Sequence, residues 1–432
     1  MRALVAFALV ATVVLLAAVS CGPGDGCEVT LTCEGSNGGD SAGGSDVGAG
    51  GAASVGGAGG TGTGTGTGTG AGGAGSVSVT RIAAGSSHSC AVLSDGSVLC
   101  WGANDDGQLG TGNVVDSTTP LAVTSLSTPI NSLGLGDRHS CGVAEDGVVT
   151  CWGANDEGQL GTGTNSPSTV PVDVMGLSSA SQVCAGRDHT CAVVQGGDVH
   201  CWGGNTYGQL GDGTNQDSNL PVSVDLPVAA IAIACGGEHT CARLQNTQVS
   251  CWGRNALVGG GGGQLGDGTF NNSSVPVTAV NFSFAEGIAG GAAHTCATND
   301  SGAAYCWGVN ANGQLGLGDN MARTSPTEVP SLSGATQVVA GVGHSCALAN
   351  GMAMCWGANG SGQLGTGDQQ QALTPQAVVS LGAAGEVAAG AEHTCARSPE
   401  GDVLCWGANA AGQLGDGSTA PSSTPVQVAL PL

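Results

Sequence analysis

The feature of this sequence that most restricts its fold is a phrase, Cys-Trp-Gly, that returns seven times after residue 77. Each copy follows a His-(Ser/Thr)-Cys phrase and precedes Gly-Gln-Leu-Gly. Self-similarity at a period of about 50 residues indicates a repeat architecture, in which no single unit can bury its apolar face alone. The chain is therefore predicted to contain seven copies of one unit, whose tryptophans are Trp101, Trp152, Trp202, Trp252, Trp307, Trp356 and Trp406.

Within the first unit the pattern is strand and turn. Short apolar runs at 82–84, 89–93, 97–101 and 121–123 are separated by turn residues, and no stretch has helical periodicity. Four short strands in each of seven units predict an all-β fold, a seven-bladed β-propeller of four-stranded blades. A linear β-solenoid is the alternative, but it would need atypical end repeats, and all seven units carry the full phrase.

The first repeat, His88 to Gly110, reads HSCAVLSDGSVLCWGANDDGQLG. It resembles the regulator-of-chromosome-condensation repeat, and the resemblance covers about residues 77–432. This resemblance implies a seven-bladed propeller. The eukaryotic namesake of the family is a nuclear guanine-nucleotide exchange factor, and a secreted bacterial relative inhibits β-lactamases. The present chain departs from the namesake in its N-terminal segment, its acidity and its paired cysteines.

The N-terminal segment has the features of an export signal. Arg2 precedes an apolar run from Ala3 to Val19, and residues 1–20 are predicted to be a signal peptide. This run is marginal in length for a transmembrane helix. The residues Ala18 to Cys21 resemble a bacterial lipobox, which implies that Cys21 is lipidated; the alternative is a cleaved signal that leaves an ordinary thiol. We expect an exported protein of the cell envelope, an outer-membrane or surface lipoprotein.

Residues 21–76 are predicted to be a disordered, Gly/Ser/Thr-rich tether, and residues 77–432 to be the propeller. The tether includes an alternating Thr-Gly run at 61–70. About 40 such residues span roughly 35 Å on average, enough to hold a domain away from a membrane surface.

The charge of the chain excludes one class of partner. The formal net charge is −24, and all eight basic residues are arginine. Such a surface repels phosphate backbones and anionic headgroups. We therefore expect no nucleic-acid partner, and contact with a membrane only through the lipid anchor.

Fourteen of the 19 cysteines form one pair in each repeat. Six pairs are ten residues apart, and the pair in the sixth repeat is nine apart. A three-residue turn in the first repeat and the two-residue Asn350-Gly351 turn in the sixth both place the two cysteines directly opposite each other. Direct opposition suits a disulfide. The predicted pairs are Cys90–Cys100, Cys141–Cys151, Cys191–Cys201, Cys241–Cys251, Cys296–Cys306, Cys346–Cys355 and Cys395–Cys405.

The rival explanation of these cysteines is a metal site, since a histidine lies two residues before the first cysteine of each pair. A Cys₂His set lacks a fourth protein ligand, so disulfides are preferred and no metal or other cofactor is expected. Five cysteines remain. We expect possible further pairs Cys184–Cys235, between adjacent units, and Cys27–Cys33, which leaves Cys21 for the lipid.

Residues that recur in every unit are poor catalytic candidates, because seven equivalent positions around a ring cannot converge on one substrate atom. The repeated histidines are predicted to bond backbone at a blade turn, the tryptophans to pack between blades, and Gly-Gln-Leu-Gly to form a turn with an amide cap. No catalytic residue is assigned, and the chain is not expected to be an enzyme.

Function should then lie where the repeats differ, on loops carried by a rigid scaffold. The candidate binding residues are Arg138, Arg187, Glu238, Phe270, Arg323 and Glu392. We expect a monomeric binding or scaffold module at the cell envelope or cell surface that recognises an extracellular protein or glycan. The alternatives are inhibition of a secreted enzyme such as a β-lactamase and, as in the family namesake, guanine-nucleotide exchange.

Overall fold

The computed structural model describes residues 77–256 and 261–431, together with the backbone of two short strands nearer the N-terminus. These two strands, β1 (Ala18–Ser20) and β2 (Glu28–Thr30), pair with each other in antiparallel register. The expectations for Cys21, Cys27 and Cys33, and those for nearly all of residues 1–76, fall outside the described residues.

The described residues after 77 form seven antiparallel sheets of four strands each, which we number as blades 1 to 7. Blades 1 to 3 comprise β3 (Val79–Ala84), β4 (His88–Leu93), β5 (Val98–Gly102) and β6 (Ser117–Ala122); β7 (Ile130–Leu135), β8 (His139–Ala144), β9 (Val149–Gly153) and β10 (Ser168–Asp173); and β11 (Ala180–Ala185), β12 (His189–Val194), β13 (Val199–Gly203) and β14 (Ser218–Val224). Blades 4 and 5 comprise β15 (Ala230–Cys235), β16 (His239–Leu244), β17 (Val249–Gly253) and β18 (Ser273–Thr278); and β19 (Ala285–Gly290), β20 (His294–Asn299), β21 (Ala304–Gly308) and β22 (Arg323–Glu328). Blades 6 and 7 comprise β23 (Ala335–Ala340), β24 (His344–Ala349), β25 (Met352–Gly357) and β26 (Ala372–Ala377); and β27 (Glu386–Ala389), β28 (His393–Arg397), β29 (Val403–Gly407) and β30 (Ser422–Gln427).

Each blade is one contiguous stretch of chain, with its strands paired in sequence order. The ends of the seven first strands line one central channel. Blade 7 packs directly on blade 1, where the Trp101 indole nitrogen donates a hydrogen bond to the Gln413 carbonyl. The ring is therefore closed, and the predicted seven-bladed propeller is confirmed.

The apolar core lies between blades rather than within them. Each core cluster combines residues of two neighbouring blades around one tryptophan that is fully buried. In the cluster between blades 1 and 2, for example, Trp152 of blade 2 joins Leu109 and Val123 of blade 1. The prediction that the tryptophans pack between blades is correct.

The hairpins between second and third strands have the two predicted turn lengths. In blade 6, Asn350 and Gly351 both adopt positive φ, at 52° and 77°, and Ala349 pairs with Met352. In blade 1, the Leu93 amide donates to the Ser97 carbonyl across a three-residue turn. Both turns keep the two cysteines of a hairpin opposite each other.

The fourth strand of blade 1 begins earlier than expected, at Ser117 rather than at residue 121. Its pairing with β5 shifts register between Cys100 and Gly102, so Pro120 lies at an irregular part of the ladder. A proline has no amide hydrogen to donate to a strand ladder. The sequence pattern therefore did not predict that this outer strand begins before Pro120.

Among the described residues there is no helix with the length and apolar character needed to cross a membrane.

Candidate binding face

Two sets of loops lie at the same end of the antiparallel blades: those joining first to second strands, and those joining third to fourth strands. We call this end the channel face. It carries the Gly-Gln-Leu-Gly turns and the residues that precede each repeated histidine. The geometry of this face follows from contacts that recur at every blade boundary.

One hydrogen-bonded joint is repeated at all seven boundaries. At the first, His88 Nε2 lies 2.9 Å from the Ser140 hydroxyl of blade 2, which donates to the Gln108 carbonyl of blade 1. The Trp152 indole nitrogen of blade 2 donates to the same carbonyl. The other histidines bond hydroxyls in the same way: His139 to Thr190, His189 to Thr240, His239 to Thr295, His294 to Ser345, His344 to Thr394 and His393 to Ser89.

The prediction that these histidines bond backbone was therefore wrong, because their Nε2 partner is a side chain of the next blade. Since the hydroxyl already donates to a glutamine carbonyl, the imidazole must donate from Nε2, and burial, which lowers the imidazole pKa, keeps it neutral with Nδ1 unprotonated. The Nδ1 atom of each has no hydrogen-bond partner among the described residues. Burial lowers the pKa of the seven imidazoles to about 3 to 4.

The glutamine of the Gly-Gln-Leu-Gly turn has the predicted capping role in six of the seven blades. Gln108 Oε1 accepts a hydrogen bond from the Asp106 amide, and the same bond recurs in every blade except blade 4. The glycine that ends the turn is required by its neighbour, because a Cβ on Gly110 would lie 2.9 Å from the Trp152 indole nitrogen. The repeated histidines, the hydroxyl residues that follow them and the glutamine carbonyls thus hold neighbouring blades together.

The sevenfold pattern is broken on the channel face of blades 2 to 4. Here Arg138 and Arg187 lie in successive first-to-second loops and share the Asp188 carboxylate, at 3.8 and 3.5 Å. Arg187 also reaches Asp137 at 3.8 Å and Glu238 at 3.6 Å. We call these five residues the arginine network. In the other four blades, the two residues before the histidine carry one charge, at Glu392.

The arginines of the network are exposed to solvent, and two of its carboxyl groups have a raised pKa. The Arg138 and Arg187 side chains are 45% and 58% exposed, so both guanidinium groups can be reached from solvent. Burial against neighbouring loops and repulsion from Asp188 raise the pKa of Asp137 to about 6. Burial also raises the pKa of Asp188. These carboxylates thus keep a higher proton affinity than ordinary surface aspartates.

The structure brings three of the six candidate binding residues together and leaves three apart. Arg138, Arg187 and Glu238 belong to the arginine network. Phe270 is half exposed in the third-to-fourth loop of blade 4. Arg323 pairs with Asp319 at 2.7 Å in blade 5, and Glu392 accepts a hydrogen bond from the Ser361 hydroxyl.

Three charged neighbours of the network were missed from the sequence. Asp106 and Asp156, on third-to-fourth loops, lie 3.5 and 3.3 Å from Arg138. Arg254 pairs with Glu238 and stacks on Tyr207, with its guanidinium carbon 4.6 Å from the ring centroid. An available signal was their position, because each lies within three residues of Gly-Gln-Leu-Gly or follows Cys-Trp-Gly directly.

Eight disulfides are present in the described residues. Seven lie within hairpins, with Cα atoms 4.0–4.1 Å apart, and are the seven pairs expected from the repeat. The eighth joins Cys184 of blade 3 to Cys235 of blade 4. His189, Cys191 and Cys235 offer ligand atoms within 4.8 Å of one another, but both sulfurs are disulfide-bonded and neither is a free thiolate.

The central channel is narrow. Its cavity of about 120 Å³ is lined mostly by glycine and alanine from all seven blades, with Asp137 and Arg187 as its charged members. Backbone hydrogen bonds, such as that from the Ser86 amide to the Gly136 carbonyl, cross between blades at this level. The channel is therefore a small opening next to the arginine network, which contributes its charged lining residues.

Comparisons with known proteins agree with this architecture. Residues 47–388 match the RCC1-like domain, and residues 386–413 and 400–432 match regulator of chromosome condensation (RCC1) repeats. The ultraviolet-B receptor UVR8 of Arabidopsis thaliana is 33% identical over 63% of this chain and 51% of its own length. Human HERC6, a probable E3 ubiquitin-protein ligase, is 38% identical over 25% of this chain and 11% of its own.

Solved structures share the fold at lower identity. Yeast RCC1 (Prp20), in a crystal structure with Kap60, has a TM-score of 0.68 at 22% identity, covering 77% of this chain and 83% of that one. Human WBSCR16 has a TM-score of 0.67 at 24% identity, over 74% and 86% of the two chains. The matched region thus spans about half of the plant relative and about a tenth of the human ligase.

Proposed function

This chain belongs to the RCC1-like domain family, and we propose on that premise that it is a binding module that works in an oxidising space outside the cytoplasm. Its partner would be a protein or a glycan, recognised on the channel face. The observation that carries the proposal is the arginine network, the one place among the described residues where charged groups of three blades meet on an otherwise repeated surface.

The scaffold supports a binding role. The repeated histidines, tryptophans and glutamines are all engaged in joints between blades, so the frame beneath the network is rigid. Exposed ion pairs contribute little to folding, typically under about 1 kcal/mol each. The charges of the network are therefore better explained by recognition than by stability, since like charges and unpaired charges discriminate between partners.

A charged protein surface is the better fit than a neutral glycan, because the network presents formal charges of both signs in fixed positions. Arg138 and Arg187 can pair with carboxylates of a partner, and Asp137 and Asp188 with its cations. The relatives include a light receptor and a ubiquitin ligase by name, so family membership by itself does not select the partner.

The oxidising compartment is supported by eight disulfides in the described part of the chain, since such bonds persist in secreted and envelope proteins. The lipid anchor at Cys21 rests on the sequence. Metabolic labelling with palmitate, followed by membrane fractionation, tests it: we expect label on the wild-type protein and none on Cys21→Ser. A labelled Cys21→Ser protein would contradict the anchor.

The binding proposal is tested by crosslinking pull-down with the full chain from envelope and extracellular fractions. We expect the double variant Arg138→Ala/Arg187→Ala to lose at least about tenfold of the captured partner, as loss of paired interface charges commonly does. Arg323→Ala, compared with each single arginine variant as well as with the double variant, is the control, because it removes one positive charge from the same face in blade 5. We expect it to bind as wild type.

Two results would contradict the proposal. If the double variant captured as much partner as the wild type, the network would not belong to the interface. If Arg323→Ala lost as much partner as the double variant, the loss would be an effect of overall charge. If binding that is unaffected by the double variant disappeared on deglycosylation of the partner, the partner would be recognised as a glycan away from the network.

A further inference from the structure

One disulfide differs from the other seven in the described chain by its place in the fold. The hairpin cysteines are buried to 1% exposure or less. The Cys184–Cys235 bond instead joins the first strands of two blades, across 51 residues of sequence. Cys184 is 4% exposed, whereas Cys235 is partly exposed, and both residues line the central channel.

The first strand explains why its two cysteines differ. Cys184 is five residues before the histidine of its blade, at a position that is buried at the blade boundary throughout the ring. Cys235 is four residues before its histidine, and successive side chains of a strand point to opposite sides. Its equivalents Ala84, Ala185 and Ala340 are partly exposed beside the channel.

The wall around Cys235 offers little obstruction. The neighbouring first strands contribute mainly glycine and alanine to the channel. At Gly290, for example, a Cβ would lie 2.8 Å from the Cys235 carbonyl oxygen, so the backbones of these two first strands lie close together without an intervening side chain. A small molecule that enters the channel therefore meets mainly backbone and small side chains around Cys235.

We propose that the Cys184–Cys235 bond is a thiol-exchange site, at which a low-molecular-weight thiol is taken up by Cys235. The thiolate attacks Cys235 Sγ and forms a mixed disulfide there, while the Cys184–Cys235 bond breaks. Cys184 leaves as a thiolate and takes a proton from water. A second thiol that attacks the mixed disulfide completes the reduction, releasing the oxidised thiol dimer.

The order of attack follows from access. Exchange needs an approach to the sulfur that is attacked, and of the two cysteines that line the channel Cys235 is the more exposed. Cys184 then becomes a buried thiol next to the mixed disulfide, and it can re-form the original bond when the small thiol is removed. The site is therefore reversible.

Opening this bond leaves the joint between blades 3 and 4 intact. His189 still bonds the Thr240 hydroxyl, at 2.9 Å. The Gln182 side-chain amide both donates to and accepts from the Ile233 backbone, at 3.0 Å. We expect the propeller to stay folded while its one channel-side bond is opened.

The test is a timed reaction of the folded, oxidised full chain with glutathione at neutral pH, quenched with iodoacetamide and followed by peptide mapping. We expect glutathione on Cys235 and alkylation of Cys184, at least about tenfold faster than modification of any hairpin cysteine, because rates follow access. Removal of glutathione under native conditions should restore the bond. Far-UV circular dichroism should not change.

The double variant Cys184→Ala/Cys235→Ala is the control, and it should fold and take up no glutathione in the same period. Cys141→Ala/Cys151→Ala is the matched variant, and it should leave uptake at Cys235 unchanged. Modification of hairpin cysteines at the same rate, or no reaction until the protein unfolds, would overturn the proposal. Attack on Cys184 in place of Cys235 would overturn the assigned direction.

Discussion

At the scale of single residues, the hydroxyl that receives each buried histidine is the contact on which a blade boundary depends. Three of the seven positions are serine and four are threonine, so the shared property is the hydroxyl and not the methyl group. Each hydroxyl accepts from an imidazole and donates to a carbonyl. Removing it leaves the buried imidazole N–H without a partner and takes one of two donors from the carbonyl, which keeps its tryptophan indole.

We predict that Thr240→Val, which keeps the shape of the side chain, lowers the free energy of unfolding by about 1–3 kcal/mol, the typical cost of an orphaned buried polar group. Thr240→Ser keeps the hydroxyl and should cost less than about 1 kcal/mol. Urea unfolding followed by tryptophan fluorescence measures both, since all seven tryptophans are buried. Equal stability of the two variants would mean that the hydroxyl is dispensable.

The partner of the histidine is the part of this joint that the sequence did not reveal. His88 and Ser140 are 52 residues apart, and no local pattern states which side chain lies across a blade boundary. The missed signal is in the phrase itself, because every histidine is followed by serine or threonine. A hydroxyl retained next to a buried imidazole in seven copies indicates that the two act in one network.

At the scale of elements, the hairpins show how turn chemistry sets register. The three-residue turns and the two-residue turn of blade 6 differ in length, yet Cys90 faces Cys100 and Cys346 faces Cys355. This outcome could be predicted from sequence, because loop length and turn residues determine pairing in a hairpin. The outer strands were less predictable, since Pro120 interrupts the ladder.

Gly351 gives an element-scale prediction. Its φ of 77° is a left-handed conformation that strains an alanine. We expect Gly351→Ala to lower the free energy of unfolding by about 1–2 kcal/mol, the cost of a β-carbon in that region. Gly360→Ala is the control, because no atom lies within 4 Å of its Cβ position and no positive φ is required there. Chemical denaturation compares the two, and an equal cost would refute the turn argument.

At the scale of the whole molecule, the seven repeated imidazoles all contribute to the pH dependence of stability in the same direction. A neutral buried imidazole has a folded pKa of about 3 to 4, below its unfolded value of about 6.5. The unfolded chain then binds more protons at mildly acidic pH, so this contribution to stability is complete above pH 6.5 and is lost as the pH falls toward 4. Asp137, with its pKa raised to about 6, acts in the opposite direction.

We therefore predict that the thermal unfolding midpoint falls steadily between pH 7 and pH 4, because seven imidazoles outweigh the few carboxyl groups with raised pKa. Asp137→Asn should make the dependence steeper, since it removes an opposing group. Scanning calorimetry across this range is the measurement. A midpoint that stays constant down to pH 5 would show that the imidazoles are not held neutral by the ring.

The ring itself was predictable, and the site on it only in part. Seven complete units without end caps indicate closure, and loops that differ between units indicate where recognition lies. The sequence could not show that Arg138, Arg187 and Glu238 meet, because they belong to different repeats about 50 residues apart. They meet because first-to-second loops of adjacent blades converge at the channel.

Closure uses the same histidine–hydroxyl joint as every other boundary, whereas the residue seven positions before the histidine differs from blade to blade. Gln182 and Gln337 bond the backbone of the next blade with their amides. At the boundary between blades 7 and 1, Glu386 accepts from the Ile82 amide and pairs with Arg397 at 3.1 Å. Among the strands that the structure describes, none is exchanged between the first and last blades, because each four-stranded sheet is folded from one contiguous segment.

In a closed ring of contiguous blades, the contacts between blades do not depend on which blade comes first in the chain. A chain that opened between blades 3 and 4, with its former ends joined, would contain the same seven sheets and the same neighbours in the same order. New units could likewise be copied, lost or exchanged as whole lengths of about 50 residues without cutting through a sheet. Because each blade is a contiguous segment, the chain can be divided between repeats without breaking a sheet.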